Sequence, residues 1–355
     1  MNHKLEILRK LDLHLLADRY EPTQEVSSGK SSWAFYGVDR ETNEAVFIKF
    51  LLFPRTEMEK ARFENEIFIL KQGLSPGMSS FSKILHDGSA EHGNVLYFIT
   101  KKADGLTLAD WMDRFLMCSD ITKRLEVFHR ISSSVSRSYV ASIMAQHRDL
   151  HPGNIILQEG EIDWRARRSK DFFVKIIDWG QAYSAFLPMY DDSPDFSFIL
   201  HKNIGREFTA SFYSAPPEVF LKPLEQHLEN YDSWALGLLL YKILTHKDAF
   251  VFEGIGDYVS AVINGQIEGI ARACKAIVAQ LETPHAALLS EVFYRLIKVN
   301  PHERMNVQIV ERVMWDLRIE NFVPRDHHEL HSYLLNPSHY EPAEGWRFSS
   351  KPEYD

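Results

Sequence analysis

Three short stretches carry ionisable and amide side chains at spacings that could do chemistry together. Between Gln146 and Leu157 the chain reads QHRDLHPGNIIL, which sets Asp149 and Asn154 in a loop broken by His, Pro and Gly. VKIIDWG follows, a buried-type strand ending in Asp178. Upstream, AVFIKF puts Lys49 in mid-strand, and Glu66 lies on a helix beyond it. These are the residue types that phosphoryl transfer needs: a cation on the nucleotide phosphates and a carboxylate to hold that cation. The reaction also requires a second carboxylate for the attacking hydroxyl and oxygen ligands for a divalent metal.

The elements that must position these groups follow from hydrophobic periodicity. Residues 4–18 repeat leucines at helical spacing and predict an amphipathic leading helix. AFYGV, AVFIKF and VLYFIT read as strands, with a helix over 56–72 between the last two. Beyond Gly105 the pattern is helical, notably over 107–117, 121–145, 231–244, 257–281 and 286–298. Strands first and helices after predict an α+β, two-lobed architecture. Three regions look irregular: 158–173, with its basic cluster Arg165, Arg167, Arg168 and Lys170; 183–215, a long loop; and the proline-bearing tail from Pro324.

Composition narrows the function classes. The chain of 355 residues carries 40 Lys+Arg against 49 Asp+Glu, a net charge of −9, which argues against a mainly electrostatic nucleic-acid binder. Cys118 and Cys274 are far apart, so neither a disulfide framework nor a cysteine zinc site is expected. The sixteen histidines lack zinc-protease spacing. The longest apolar stretch, Ala235 to Leu244, is too short for a membrane span of roughly 20 residues. The first residues carry charges where a signal peptide needs an apolar core. The expectation is a soluble, cytoplasmic protein.

In these motifs the sequence resembles the protein-kinase family, from about Tyr20 to about Leu317. The resemblance implies a bilobal kinase fold: an N-terminal helix over 1–19, a β-rich lobe over 20–103, a helical lobe over 104–317 and a tail over 318–355. It implies ATP and Mg²⁺ as cofactors and a protein as phosphate acceptor. Lys49 matches the phosphate-binding lysine and Glu66 its helical partner, preferred to Glu64 because Ile67 and Leu70 follow it. Asp149 and Arg148 match the catalytic loop, and Asn154 and Asp178 the metal ligands, with Asp-Trp-Gly at the last. SAPPEVF with Glu218, YDSWALG with Asp232, and NPHERM with Arg304 match the helical half, where a Glu218–Arg304 pair is expected. Thr100 and Ile156 are expected at the nucleotide.

Departures from the family pattern keep other readings open. The glycine-rich loop reduces to Ser27, Gly29 and Ser32, and serine adds a Cβ where glycine lets the backbone amides approach the phosphates closely. A P-loop reading of SGKSS fails because Gln24 stands where that motif needs glycine. Phe47, two before Lys49, should crowd the adenine pocket and favours a non-catalytic nucleotide-binding scaffold. His151, HPGN and IDWG are also typical of aminoglycoside- and choline-kinase-like enzymes, which act on small molecules. A protein Ser/Thr kinase remains the preferred reading, with Thr209 or Ser211 as the expected autophosphorylation site facing Arg148.

Overall fold

The computed structural model describes residues 3–28, 32–72, 82–140, 145–164, 167–184, 214–221, 230–319, 321–335 and 337. Helix α1 (His3–Lys10) opens the chain, and β1 (Tyr20–Ser28), β2 (Ser32–Asp39) and β3 (Ala45–Leu52) follow as an antiparallel meander. Helix α2 (Glu57–Gln72) leads to β4 (Ile84–Ala90) and β5 (Val95–Lys101), giving a sheet in the order β1-β2-β3-β5-β4.

Alternation along β3 divides its side chains between two cores. Val46, Ile48 and Phe50 point to an outer face, where they are buried with Leu8, Leu13 and Leu16 of the N-terminal segment. Lys49 and Phe47 point to the opposite face, toward the cleft. There α2 packs on the sheet, with Phe63 and Phe98 ring centroids 5.3 Å apart.

The linker to the helical lobe passes through Gly105 at φ +116°. A Cβ there would lie 2.2 Å from the Leu157 carbonyl oxygen, so both the turn and the close approach demand glycine. Strand β6 (Leu106–Thr107), α3 (Leu108–Phe115) and α4 (Ile121–Val140) come next. A small ladder joins β7 (Ala145–Gln146) to β10 (Tyr183–Ser184), and between them β8 (Ile155–Trp164) pairs with β9 (Arg167–Ile176). The remaining described α-helices are α5 (Glu218–Leu221), α6 (Tyr231–Thr245), α7 (Ile255–Ile263), α8 (Gln266–Val278), α9 (Ala286–Leu296), α10 (Val307–Ile319) and α11 (His327–Leu335). The main core gathers around α4, α6, α9 and α10, with Trp234, Phe128 and Phe293 fully buried.

The structure corrects five expectations about elements. The leading helix stops at Lys10, and Asp12, Ala17 and Asp18 adopt left-handed backbone, so Leu13 and Leu16 reach the sheet from turns instead of a continuous helix. The helix expected over 121–145 is described from Ile121 to Val140, and Ala145–Gln146 is strand. The helix expected over 257–281 breaks at Asn264–Gly265, where Gly265 takes φ +67°. Region 158–173, expected to be an irregular insertion, forms most of a β-hairpin with ten residues in each strand. Its register sets Glu161 opposite Lys170 and Asp163 opposite Arg168, so two of the basic positions stand opposite acidic ones across the ladder. The tail from Pro324, expected to be irregular, contains α11, which starts where the Glu329 amide donates to Asp326 Oδ1 at 2.8 Å. That helix buries Leu330, Tyr333 and Leu334 against the lobe.

Candidate active site

Lys49 is the centre of the site. Its Nζ lies 2.8 Å from Glu66 Oε2 and 2.8 Å from Asp178 Oδ1, so one ammonium joins β3, α2 and the end of β9. Burial disfavours the lysine charge, but Asp178 and Glu66 outweigh it and hold the group above the ordinary lysine range. Burial also pushes Glu66 up, to about 7, against the downward pull of Lys49. Asp178 is held below the usual carboxylate range, first by the Lys49 charge and against its own desolvation. Glu64, the competing acid, lies on the exposed side of α2.

The loop from His147 to Asn154 is fixed from below by Asp232 on α6. The Asp232 carboxylate accepts from the His147 amide at 2.7 Å and from the Arg148 amide at 2.9 Å. Those two bonds hold Arg148 in left-handed backbone at φ 65°. His147 has a structural place: its Nε2 meets the Ile177 carbonyl at 2.9 Å, and its ring stands edge-on to Trp179, 4.7 Å between centroids. Trp179 is fully buried, with Nε1 donating to the Ile176 carbonyl. The Arg148 guanidinium lies over the Tyr231 ring, and its buried Nε has no hydrogen-bond partner among the described residues.

Asn154 donates from Nδ2 to the Asp149 carbonyl at 2.9 Å, which leaves Oδ1 as its remaining acceptor. Asn154 and Asp178 line the same cavity, and the Asp178 side chain is 52% exposed. Two oxygen donors at the mouth of one cavity fit Mg²⁺, which takes few protein ligands and completes its shell with phosphate and water. The cavity measures about 360 Å³. Val26, Ala34, Phe47, Thr100, Ile156 and Ile176 supply walls, and Lys49, Glu66, Asn154 and Asp178 a polar end. Such a shape, apolar with convergent polar groups at one end, suits a nucleotide.

Of the residues singled out in the sequence, Lys49, Glu66, Thr100, Asn154, Ile156, Asp178 and Ser32 all line this cavity. Asp149 is joined to it through Asn154. Ser27 pairs with Ala34 in the β1–β2 ladder. Gly29, Thr209 and Ser211 lie outside the described residues. Phe47 pairs with Thr100 across β3 and β5 and forms part of the wall, as its spacing from Lys49 requires.

Sequence reasoning overlooked two supports. Asn65 donates from Nδ2 to the Ala182 carbonyl at 2.7 Å and ties α2 to the segment after Asp178. Its signal was a polar residue on the buried face of α2, next to Glu66. Tyr258 donates to the Ala215 carbonyl at 2.7 Å and steadies the stretch before Glu218; nothing in the local sequence around Tyr258 marks it. The Glu218–Arg304 pair forms as two bonds of 2.8 Å each.

A sheet-and-helix lobe set over a helical lobe, with a lysine–carboxylate network in the cleft between them, defines the kinase architecture. The protein kinase domain matches residues 20–315, and the chain belongs to that family. A probable serine/threonine-protein kinase of Dictyostelium discoideum is 26% identical over 234 residues, 66% of this chain and 32% of that protein. CBL-interacting protein kinase 26 of Oryza sativa subsp. japonica is 22% identical over 310 residues, 85% of this chain and 52% of its own length. Serine/threonine-protein kinase PknD of Chlamydia caviae is 27% identical over 247 residues, 64% of this chain and 24% of its own length. The chain thus spans at most 52% of the length of these three relatives. Among the described residues no helix is long and apolar enough to cross a membrane.

Proposed function

We propose that this chain transfers the γ-phosphoryl group of ATP to serine or threonine hydroxyls of a protein. The observation that carries the reading is Lys49 held at 2.8 Å from both Glu66 and Asp178, a charged group preset at the polar end of a nucleotide-sized cavity. The bound nucleotide supplies the transferable phosphoryl group, and Mg²⁺ spreads the charge of its phosphates. Lys49, oriented by Glu66, holds the phosphates in place. Asp178 and the Asn154 side-chain oxygen hold the metal. Asp149 accepts the proton of the incoming hydroxyl and orients it, and Arg148 completes the loop that carries Asp149. Ser32 lines the roof of the cavity, while Thr100 and Ile156 lie beside the base. Catalysis by these parts is mainly positioning and electrostatics.

The expected assay result is label from γ-labelled ATP in protein, with Mg²⁺ required. Asp149→Ala should reduce turnover by about two to four powers of ten while ATP affinity stays within about threefold. Unchanged turnover in that variant would remove Asp149 from the reaction. A second reading, a nucleotide-binding scaffold without transfer, is favoured by Phe47 in the cavity wall. Under it the parent chain shows an ATP thermal shift but no label anywhere. Label in a small molecule instead of protein would restore the aminoglycoside- or choline-kinase-like reading.

A further inference from the structure

The roof of the cavity is the β1–β2 hairpin, where Val26, Ser32 and Ala34 line the cleft side. The back of the same hairpin carries Glu25, paired with the fully buried Phe35, and Trp33, paired with Phe50. Helix α1 lies against that back. Lys4 Nζ is 2.5 Å from Glu25 Oε1 on β1 and 5.1 Å from the centre of the Trp33 ring on β2. One cation thus grips both strands, each time one residue away from a position that lines the cavity. The grip is itself anchored, because Leu8, Leu13 and Leu16 are almost wholly buried in the outer core.

Strand β1 is the edge of the sheet and, among the described strands, pairs with β2 alone, so its docking on β2 shapes the roof. Tying them together before the ligand arrives reduces the ordering cost of binding. We propose that Lys4 is a positioning residue for nucleotide binding, the tip of an N-terminal clamp that sets the resting geometry of the cavity roof. This inference rests on the reading that the cleft binds ATP.

The test compares the full chain with Lys4→Met, Lys4→Arg, the exchange Lys4→Glu with Glu25→Lys, and the exposed-residue control Glu6→Ala. Lys4→Met removes a partly buried ion pair and a cation–π interaction at once, and should raise the KM for ATP about fivefold. Its kcat should stay within about twofold, because the catalytic loop is untouched. Lys4→Arg should restore the parent KM, the charge exchange should recover part of it, and Glu6→Ala should match the parent. Hydrogen exchange of the β1–β2 amides in nucleotide-free protein should be about fivefold faster in Lys4→Met. ATP binding by the parent with an unchanged KM in Lys4→Met would overturn the clamp alone, as would parent-like hydrogen exchange. Loss of kcat and KM together without rescue by arginine would also overturn it, since that marks a general fold defect. A parent chain that binds no ATP would overturn the proposed function, and this role with it.

Discussion

Glu66 is a buried acid whose ionisation decides whether the Lys49 pair is fully charged. Burial lifts it from an ordinary 4.5 to about 7, so near neutrality it changes between a neutral carboxyl and the carboxylate that orients Lys49. The kcat/KM for ATP, which reports the free enzyme, should therefore rise with pH around 7. Glu66→Gln should be slower and should lack this limb; an identical limb in that variant would assign the titration to another group. The stability sign runs the opposite way. Between 4.5 and about 7 the folded chain keeps a proton that the unfolded chain has released, so this contribution is full at the acid end and is lost as pH rises through 7. At this scale the sequence was most readable. Lys49, Glu66, Asn154 and Asp178 are polar residues at points where strand alternation, the inner face of a helix or a broken loop turns them to one side, and that side is the cleft. Lys4 was not readable, because on an amphipathic helix its partners Glu25 and Trp33 are fixed only by how α1 docks.

Between elements, the Glu218–Arg304 pair joins α5 to the turn before α10, and both side chains are almost inaccessible, at 1% and 0%. Arg304 also donates to the Lys298 and Asn230 carbonyls, so its burial is matched by bonds. Removing one partner leaves a bare charge inside the lobe, which typically costs about 3–5 kcal/mol. Arg304→Ala should lose about that much in urea unfolding, and a loss below about 1 kcal/mol would mean the site opens to water. Helix α6 and strands β2, β3 and β5 could be read from their apolar runs, α6 and β5 being buried on nearly all sides, whereas β1 and β4 were not read. The β8–β9 hairpin could not be read this way. Beyond Leu157 its alternation runs through Glu159, Glu161 and Asp163, whose partners lie across the register at Phe172, Lys170 and Arg168. Helix α11 was hidden in another way, since Leu330, Tyr333 and Leu334 have helical spacing but sit among histidines and close to prolines.

For the molecule as a whole, the Lys49–Asp178 contact links β3 of the sheet lobe to the end of β9, and Asn65 adds a second tie between α2 and Ala182. A ligand that uses both sides of this junction should stabilise the whole chain, because it binds only when the two lobes are in place. At a nucleotide concentration about 100-fold above its dissociation constant the gain is about 2.7 kcal/mol. The proposed metal role of the half-exposed Asp178 carboxylate predicts a larger thermal shift with ATP and Mg²⁺ than with ATP and EDTA. Asp178→Asn keeps the shape of the side chain but removes its charge, and in it the two shifts should coincide. The variant also weakens the contact with Lys49, so its ligand-free melting temperature should fall below the parent's. Equal shifts with and without Mg²⁺ in the parent chain would remove Asp178 and Asn154 as metal ligands. A parent-like difference in Asp178→Asn would place the metal elsewhere in the cleft.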